Sequence, residues 1–273
     1  MRMATWRPNG GPEEHRDSNV LTDEILANFR NHKVVGGHAK WPNQTDKLDD
    51  HGFYLPDGKG DERKAVEEMY YALSKMSPNP TEFNQCVEDD ASFGMRTWEV
   101  RPPNYEEHLI NVSTTSIFNA YYASSIHSLI KQVGGRIVDI GGGYGHLAKE
   151  LSRYAEQVTL VELPANIPLA EAYLEGTAVK VQHPKLDFPQ CDIIVNTMSF
   201  QHMLPENLDY YHKRILDSGA KAIYTVNRLA KKDATDTPIY DYPFWQDFFP
   251  IHVKAFGQMW QEIVAQRKPG KES

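Results

Sequence analysis

Apolar residues recur three and four positions apart through the first half of the chain and gather into short unbroken runs in the second. Up to about Asn19 the chain is rich in Pro, Gly and charge and reads as a loose arm. Thr22, followed by Asp23 and Glu24, predicts a capped helix, with Ile25, Leu26 and Phe29 at helical spacing. His32 to Asp61 is dense in Gly, Pro, Asn and Asp and predicts an extended, looped stretch. From Asp61 to Met76 the residues Val66, Met69, Tyr70 and Leu73 form one helical stripe, closed by Pro78 and Pro80. A short helix is predicted over Thr81 to Asp90. Trp98 to Pro103 reads as extended, because Pro102 drives Arg101 out of the α region. Ser113 to Val133 is a long helix carrying Ile117, Tyr121, Ser124, Ser125 and Leu129, and it ends at Gly134-Gly135.

From Arg136 the pattern changes. Strands are predicted at Ile137–Ile140, Val158–Val161, Ala178–Gln182, Ile193–Asn196 and Ala222–Val226. Helical stretches fall between them at Tyr144–Tyr154, Pro168–Leu174 and Asn207–Leu216. Such alternation predicts an α/β fold with a mostly parallel sheet and helices on both faces. The last two runs, Ile251–Phe256 and Met259–Gln266, flank Gly257-Gln258 and predict an antiparallel hairpin.

The 273 residues are 40% hydrophobic, enough for a full core. The 29 basic and 37 acidic side chains leave a net charge of −8, which argues against nucleic acid as the main partner. Two distant cysteines, Cys86 and Cys191, make no disulfide framework and fit a reducing compartment. No run is long enough for a membrane span, and the first residues lack the apolar core of a secretory signal. A soluble, cytoplasmic protein is expected.

The segment RIVDIGGGYGHLAKEL carries the most information. A strand enters Gly141, Gly142, Gly143 and Gly145, and a helix succeeds them. Glycines there let the backbone turn and a ligand approach, with the helix N–H groups facing it. Glu162 ends the next strand, 21 residues after Gly141, where an acid accepts hydrogen bonds from ribose hydroxyls. Together they predict an adenosine-bearing ligand. His146 stands where a dinucleotide fingerprint has its third glycine, which disfavours a pyrophosphate. Asp139 suits a ligand with a cationic end; it can equally hold the loop by side-chain to backbone hydrogen bonds.

Asp139 to Gly145, Glu162 and the closing hairpin resemble a class I S-adenosylmethionine-dependent methyltransferase over about residues 133–268. ELPANI, from Glu162, is similar to the D-L-P turn of small-molecule O-methyltransferases. A narrower resemblance rests on NFRNH at 28–32, RPP at 101–103, NTMSFQHM at 196–203 and the VNR ending at Arg228. It is to the bacterial sugar O-methyltransferases of polysaccharide and lipopolysaccharide loci; at His202 that family would more readily carry a glutamate. The resemblance implies a Rossmann-like methyltransferase sheet over residues 111–273, an N-terminal, mainly helical cap over residues 1–110, S-adenosyl-L-methionine as cofactor and a small-molecule or glycan hydroxyl as acceptor.

Methyl transfer to a hydroxyl requires in-line geometry and usually a general base or a metal. IIVNTMSFQHMLPEN takes in the fourth strand and its exit, at the face where this fold does its chemistry. His202 is the candidate base; packing against or capping the next helix is the alternative. Asn196, toward the cofactor, and Ser199 and Gln201, toward the substrate, are candidate hydrogen-bonding groups. Tyr121 can aim a hydroxyl at the methyl donor and Tyr122 can stack on a sugar, with core packing as the alternative for each. Asn227 and Arg228 end the fifth strand; Arg228 can bind an anionic sugar or sit in a surface ion pair. Tyr242, Phe244 and Trp245 lie in the long tract Lys231 to Asp247, as a sugar-stacking wall or as the core of a lid. Gln182, His183 and Asp187, at and beyond the end of the third strand, are candidates for the adenine.

No metal is expected: Asp192 starts its strand and so faces the wrong end, and Asp49-Asp50 and Asp89-Asp90 read as solvated turns. Three other functions compete: methylation of another small metabolite such as a phenol, a nicotinamide-dependent oxidoreductase, and a methyltransferase-like binding subunit without turnover. The missing third glycine counts against the second, and the intact loop with Glu162 against the third.

Overall fold

A computed structural model describes residues 62–88, 97–102, 109–164, 166–231, 236–256 and 259–270. The arm, the helix expected at Thr22, the stretch 32–61, both Asp-Asp pairs, Pro103 and the hairpin turn at 257–258 lie outside the described residues.

Helices α1 (Glu62–Met76) and α2 (Pro80–Cys86) pack on α3 (Thr114–Val133), beside a small ribbon of β1 (Trp98–Val100) and β2 (Ile110–Val112). The expected α1 stripe is the buried one: Val66, Met69, Tyr70 and Leu73 are all at most 4% exposed. Helix α3 opens with a capping box, in which Ser113 Oγ accepts from Ser116 N–H and Ser116 Oγ accepts from Ser113 N–H, both at 2.9 Å. One apolar core runs from α1 and α2 through α3 to the main sheet, so the described part of residues 1–110 shares its core with that sheet.

The main sheet comprises β3 (Arg136–Ile140), β4 (Gln157–Val161), β5 (Lys180–Gln182), β6 (Ile193–Thr197), β7 (Ala222–Arg228), β8 (Phe248–Phe256) and β9 (Trp260–Arg267). Their spatial order is β5-β4-β3-β6-β7-β9-β8. The first five are parallel; β9 runs antiparallel to β7, and β8 to β9. Between strands lie α4 (His146–Leu151), α5 (Ile167–Tyr173) and α6 (Pro205–Asp217). Apolar clusters cover both faces of the sheet. This is the Rossmann-like plan with a reversed hairpin at its C-terminal edge that the sequence predicts. The chain leaves β3 toward one edge and returns through β6 toward the other. The carboxyl ends of β3 and β6 therefore border the crevice where such sheets bind ligands.

Helix α4 is shorter than the pattern 144–154 implies. Gly145 takes φ +95°, outside the helical region, so Tyr144 and Gly145 stay in the loop. At the opposite, amino-terminal end of the sheet Asp192 accepts from Arg136 Nε (3.0 Å) and Nη2 (2.9 Å) and pairs with Lys221 (2.8 Å). These two cations hold its carboxyl well below the usual range. Asp192 is thus remote from the crevice, as its place at the strand start predicts.

Beneath the hairpin lies a buried polar cluster. Glu262, 2% exposed, accepts from Tyr121 Oη (2.7 Å) and Tyr224 Oη (2.8 Å), while Lys254 Nζ donates to Tyr121 Oη (2.9 Å). Glu262→Ala leaves two buried hydroxyls without their acceptor. The expected cost is about 2–5 kcal/mol, a fall in melting temperature of roughly 5–15 °C, read by calorimetry.

Candidate functional site

Three glycines of the loop after β3, Gly141, Gly142 and Gly145, have no room for a side chain. Gly141, Gly143 and Gly145 take φ of +74°, +64° and +95°, a region that favours glycine. Gly141 N–H donates to Val161 O at 2.8 Å and ties the loop to the end of β4. A Cβ on Gly141 would overlap the Ser199 side chain, and one on Gly145 would come within 2.7 Å of Leu174. A Cβ on Gly142 would overlap the Asp139 carboxylate and reach 2.8 Å from Leu160. Gly142→Ala is expected to cost about 1–3 kcal/mol, seen as a lower urea midpoint, because Asp139 and Leu160 lie in packed core. The His146 ring is fully buried, 6.2 Å from both the Tyr144 and Tyr173 rings, and so fills the space that a third glycine would leave open.

Two buried carboxylates adjoin this loop. Glu162 accepts from the N–H groups of Gly143 (2.7 Å) and Leu163 (2.7 Å) and from Asn166 Nδ2 (3.1 Å). Burial raises its pKa, and these three donors pull against that rise. Asp139 is fully buried, and neither of its oxygens has a hydrogen-bond partner among the described residues. Burial, with the nearby charge of Glu162, pushes its carboxyl up to about 8. Asp139 therefore does not hold the loop by hydrogen bonds to the described backbone.

No protein-family model matches the chain, and no curated protein matches it. Solved structures that match it include protein 1320 of Thermoplasma acidophilum, at 16% identity over 57% of this chain and 90% of that one, with a TM-score of 0.44. An S-adenosylmethionine-dependent methyltransferase of Mesorhizobium loti matches at 14% identity over 52% and 96%, with a TM-score of 0.43. Another, from Aquifex aeolicus, matches at 14% over 52% and 88%, with a TM-score of 0.41. Strand order and the loop geometry above, rather than likeness at this level, carry the assignment of fold.

A second polar group sits at the carboxyl ends of β6 and β7. Asn196 Nδ2 donates to Ile140 O (2.7 Å), at the base of the glycine loop, and its Oδ1 accepts from Phe200 N–H (3.1 Å) and Asn227 Nδ2 (2.8 Å). Asn227 Oδ1 accepts from Gln201 N–H at 3.0 Å. Gln201 Oε1 accepts from Arg228 N–H at 3.0 Å. Asn196, Gln201, Asn227 and Arg228 are all at most 4% exposed, so in this state they cross-link the crevice rather than line an open surface. Ser199 is half-buried against Gly141, and the His202 side chain is 18% exposed. Met198, just beyond the end of β6, takes φ +59°, a strained value for a non-glycine residue.

Of the other candidates, Tyr121, Tyr122 and Asp187 have their partners outside this group. Tyr121 belongs to the Glu262 cluster, and Tyr122 packs among Phe118, Tyr224 and Phe256. Tyr242 is 3% exposed among Phe200, Phe244 and Trp245, within the apolar core on one face of the main sheet. The Asp187 carboxylate is fully exposed and pairs with Arg214 at 2.9 Å, while Gln182 Nε2 donates to the Leu186 (3.3 Å) and Asp187 (3.1 Å) carbonyls. Arg228 is in an ion pair, but a buried one, with Asp236 at 3.1 Å. Sequence reasoning missed Asp236 and Glu262. The sign for Glu262 was a carboxylate within an apolar strand; Asp236 lies in a tract with no periodicity to place it.

Among the described residues no group of three or more His, Cys, Asp or Glu is arranged to hold a metal, and no helix is long and apolar enough to cross a membrane.

Proposed function

We propose that the protein is an S-adenosylmethionine-dependent O-methyltransferase acting on a sugar hydroxyl. The observation that carries this reading is the pair of buried carboxylates, Asp139 and Glu162, against a loop whose Gly141, Gly142 and Gly145 leave no space for a Cβ. The pair suits a ligand with a cationic end and vicinal hydroxyls. Asp139 would face the cation, and Glu162 would accept from the ribose. Bound there, the cofactor supplies an electrophilic methyl group on a sulfonium.

The remaining work falls to the chain. The Asn196–Asn227 bridge fixes the loop base to the ends of β6 and β7, holding donor and acceptor sites in register. His202, the reachable titratable group of that face, takes the hydroxyl proton. The sugar acceptor is supported by the resemblance over residues 196–203 and 226–228, with residues 1–110 as a cap over the crevice and the cytoplasm as the place of action.

The test is transfer of labelled methyl from S-adenosylmethionine to a panel of sugars, sugar nucleotides and glycans, with phenols as the contrasting class. Label in the sugars is the expected result; label in phenols alone overturns the acceptor. One observation favours a second reading, a binding subunit without turnover. His202 Nε2 already lies 3.1 Å from Gln201 Nε2, as a purely structural histidine would. Cofactor binding with no transfer to either class would establish it.

A further inference from the structure

We propose that Asp236 is the positioning residue for His202, its carboxylate set opposite Nδ1 so that Nε2 is the basic nitrogen. The orientation of Gln201 starts the argument. Its Oε1 accepts from the Arg228 N–H at 3.0 Å, so its amide nitrogen is the atom that faces His202 Nε2 at 3.1 Å. A flipped amide would set two donors against each other at Arg228. An amide NH2 can only donate, so Nε2 must accept, and a neutral imidazole that accepts at Nε2 carries its proton on Nδ1. Nδ1 lies 3.4 Å from Asp236 Oδ1, an ion-pair contact short of hydrogen-bond geometry in this state.

The other Asp236 oxygen accepts from Arg228 Nη1 at 3.1 Å. The Asp236 side chain is 1% exposed and that of Arg228 4%, so each compensates a charge that would be costly alone. Thr237 N–H donates to Gln201 O at 3.1 Å and its Oγ1 donates to Met203 O at 2.8 Å, which pins the residue after Asp236 to the turn carrying His202. The parts form one closed figure: β7 supplies Arg228, the turn after β6 supplies Gln201 and His202, and the returning chain supplies Asp236.

The inference rests on the methyl-transfer reading for the source of the proton. An acceptor hydroxyl replaces the Gln201 amide at Nε2. Its proton passes to Nε2, its oxygen keeps the electron pair, and the imidazolium that results presents Nδ1–H to the Asp236 carboxylate. Long resting distances of this kind tighten once the ring is charged.

The test uses the full chain labelled with 15N-histidine, with His202 assigned by the signal lost in His202→Gln. The wild type is expected to show the proton on Nδ1 and the lone pair on Nε2. Asp236→Asn is expected to shift the ring toward the Nε2–H tautomer and to lower kcat about 10²–10⁴-fold on the sugar panel, with KM and S-adenosylhomocysteine binding unchanged. Asp236→Glu should restore part of the rate. Should Asp236→Asn fail to fold with Arg228 unpaired, Asp236→Asn/Arg228→Met, which removes both charges, is read in its place. A wild-type ring with its proton on Nε2 overturns the proposal, as does an Asp236 variant that turns over like the wild type. Loss of the cofactor reading shows separately, as a wild type that binds no S-adenosyl ligand while its tautomer stands as expected.

Discussion

Glu162→Ala is expected to weaken S-adenosylhomocysteine binding by about 10²–10⁴-fold, measured by titration calorimetry. Two losses combine. A ribose diol would donate two hydrogen bonds to this carboxylate, each worth about 1.5–3 kcal/mol when the acceptor is charged. The same oxygens hold Gly143 and Leu163 at 2.7 Å, so alanine also unties the loop that must shape itself to the ligand. Glu162→Gln keeps one accepting oxygen and sets an amide donor against a backbone N–H; its loss should be intermediate. Unchanged affinity in Glu162→Ala would remove Glu162 from the ligand and with it the adenosine reading of the crevice.

Asp139→Asn should act on stability and binding in opposite directions. In the folded protein the Asp139 carboxyl titrates at about 8, against an ordinary value of 3.8. Between those values the folded state holds a proton that the unfolded chain releases. Stability from this group is therefore full below the unfolded value and is lost as pH rises through about 8. Asparagine cannot ionise, so the variant should melt above the wild type at pH near the top of that window and match it more closely at lower pH. A cationic ligand reverses the balance by favouring the carboxylate. Wild-type affinity for S-adenosylmethionine should then rise with pH below about 8, by up to tenfold per unit, with proton release in calorimetry. Asp139→Asn should bind more weakly and without that slope. Affinity that falls as pH rises in this window would contradict the assignment.

These two carboxylates were legible in the sequence because their signals are local. A strand, its glycines and an acid at the tip of the next strand are fixed by spacing alone, and the reversed hairpin by two apolar runs across Gly257-Gln258. The partners of the buried polar residues were not legible. Asn196, Gln201, Asn227 and Arg228 are residue types that serve equally as ligands or cross-links, and the contacts that decide reach across neighbouring strands. Arg228 illustrates the difficulty: its ion pair was among the open alternatives, but its burial depends on Asp236, eight residues on in an aperiodic tract. Tyr122 and Tyr242 posed the same choice, and their aromatic neighbours place both in packed clusters. Glu262 is the converse case, a polar residue in a strand read only for its apolar run.

The measurement that bears most directly on the cofactor is a thermal-shift comparison of the full chain with S-adenosylhomocysteine, S-adenosylmethionine, NAD and NADP. A ligand at a hundred times its dissociation constant adds about 2.7 kcal/mol, a rise of roughly 5–10 °C for a chain of this size. A rise with the two S-adenosyl ligands and none with the nicotinamide pair is the predicted result. A rise with NAD or NADP alone would contradict it, and would make Asp139 to Gly145 a dinucleotide loop that tolerates a histidine in place of its third glycine.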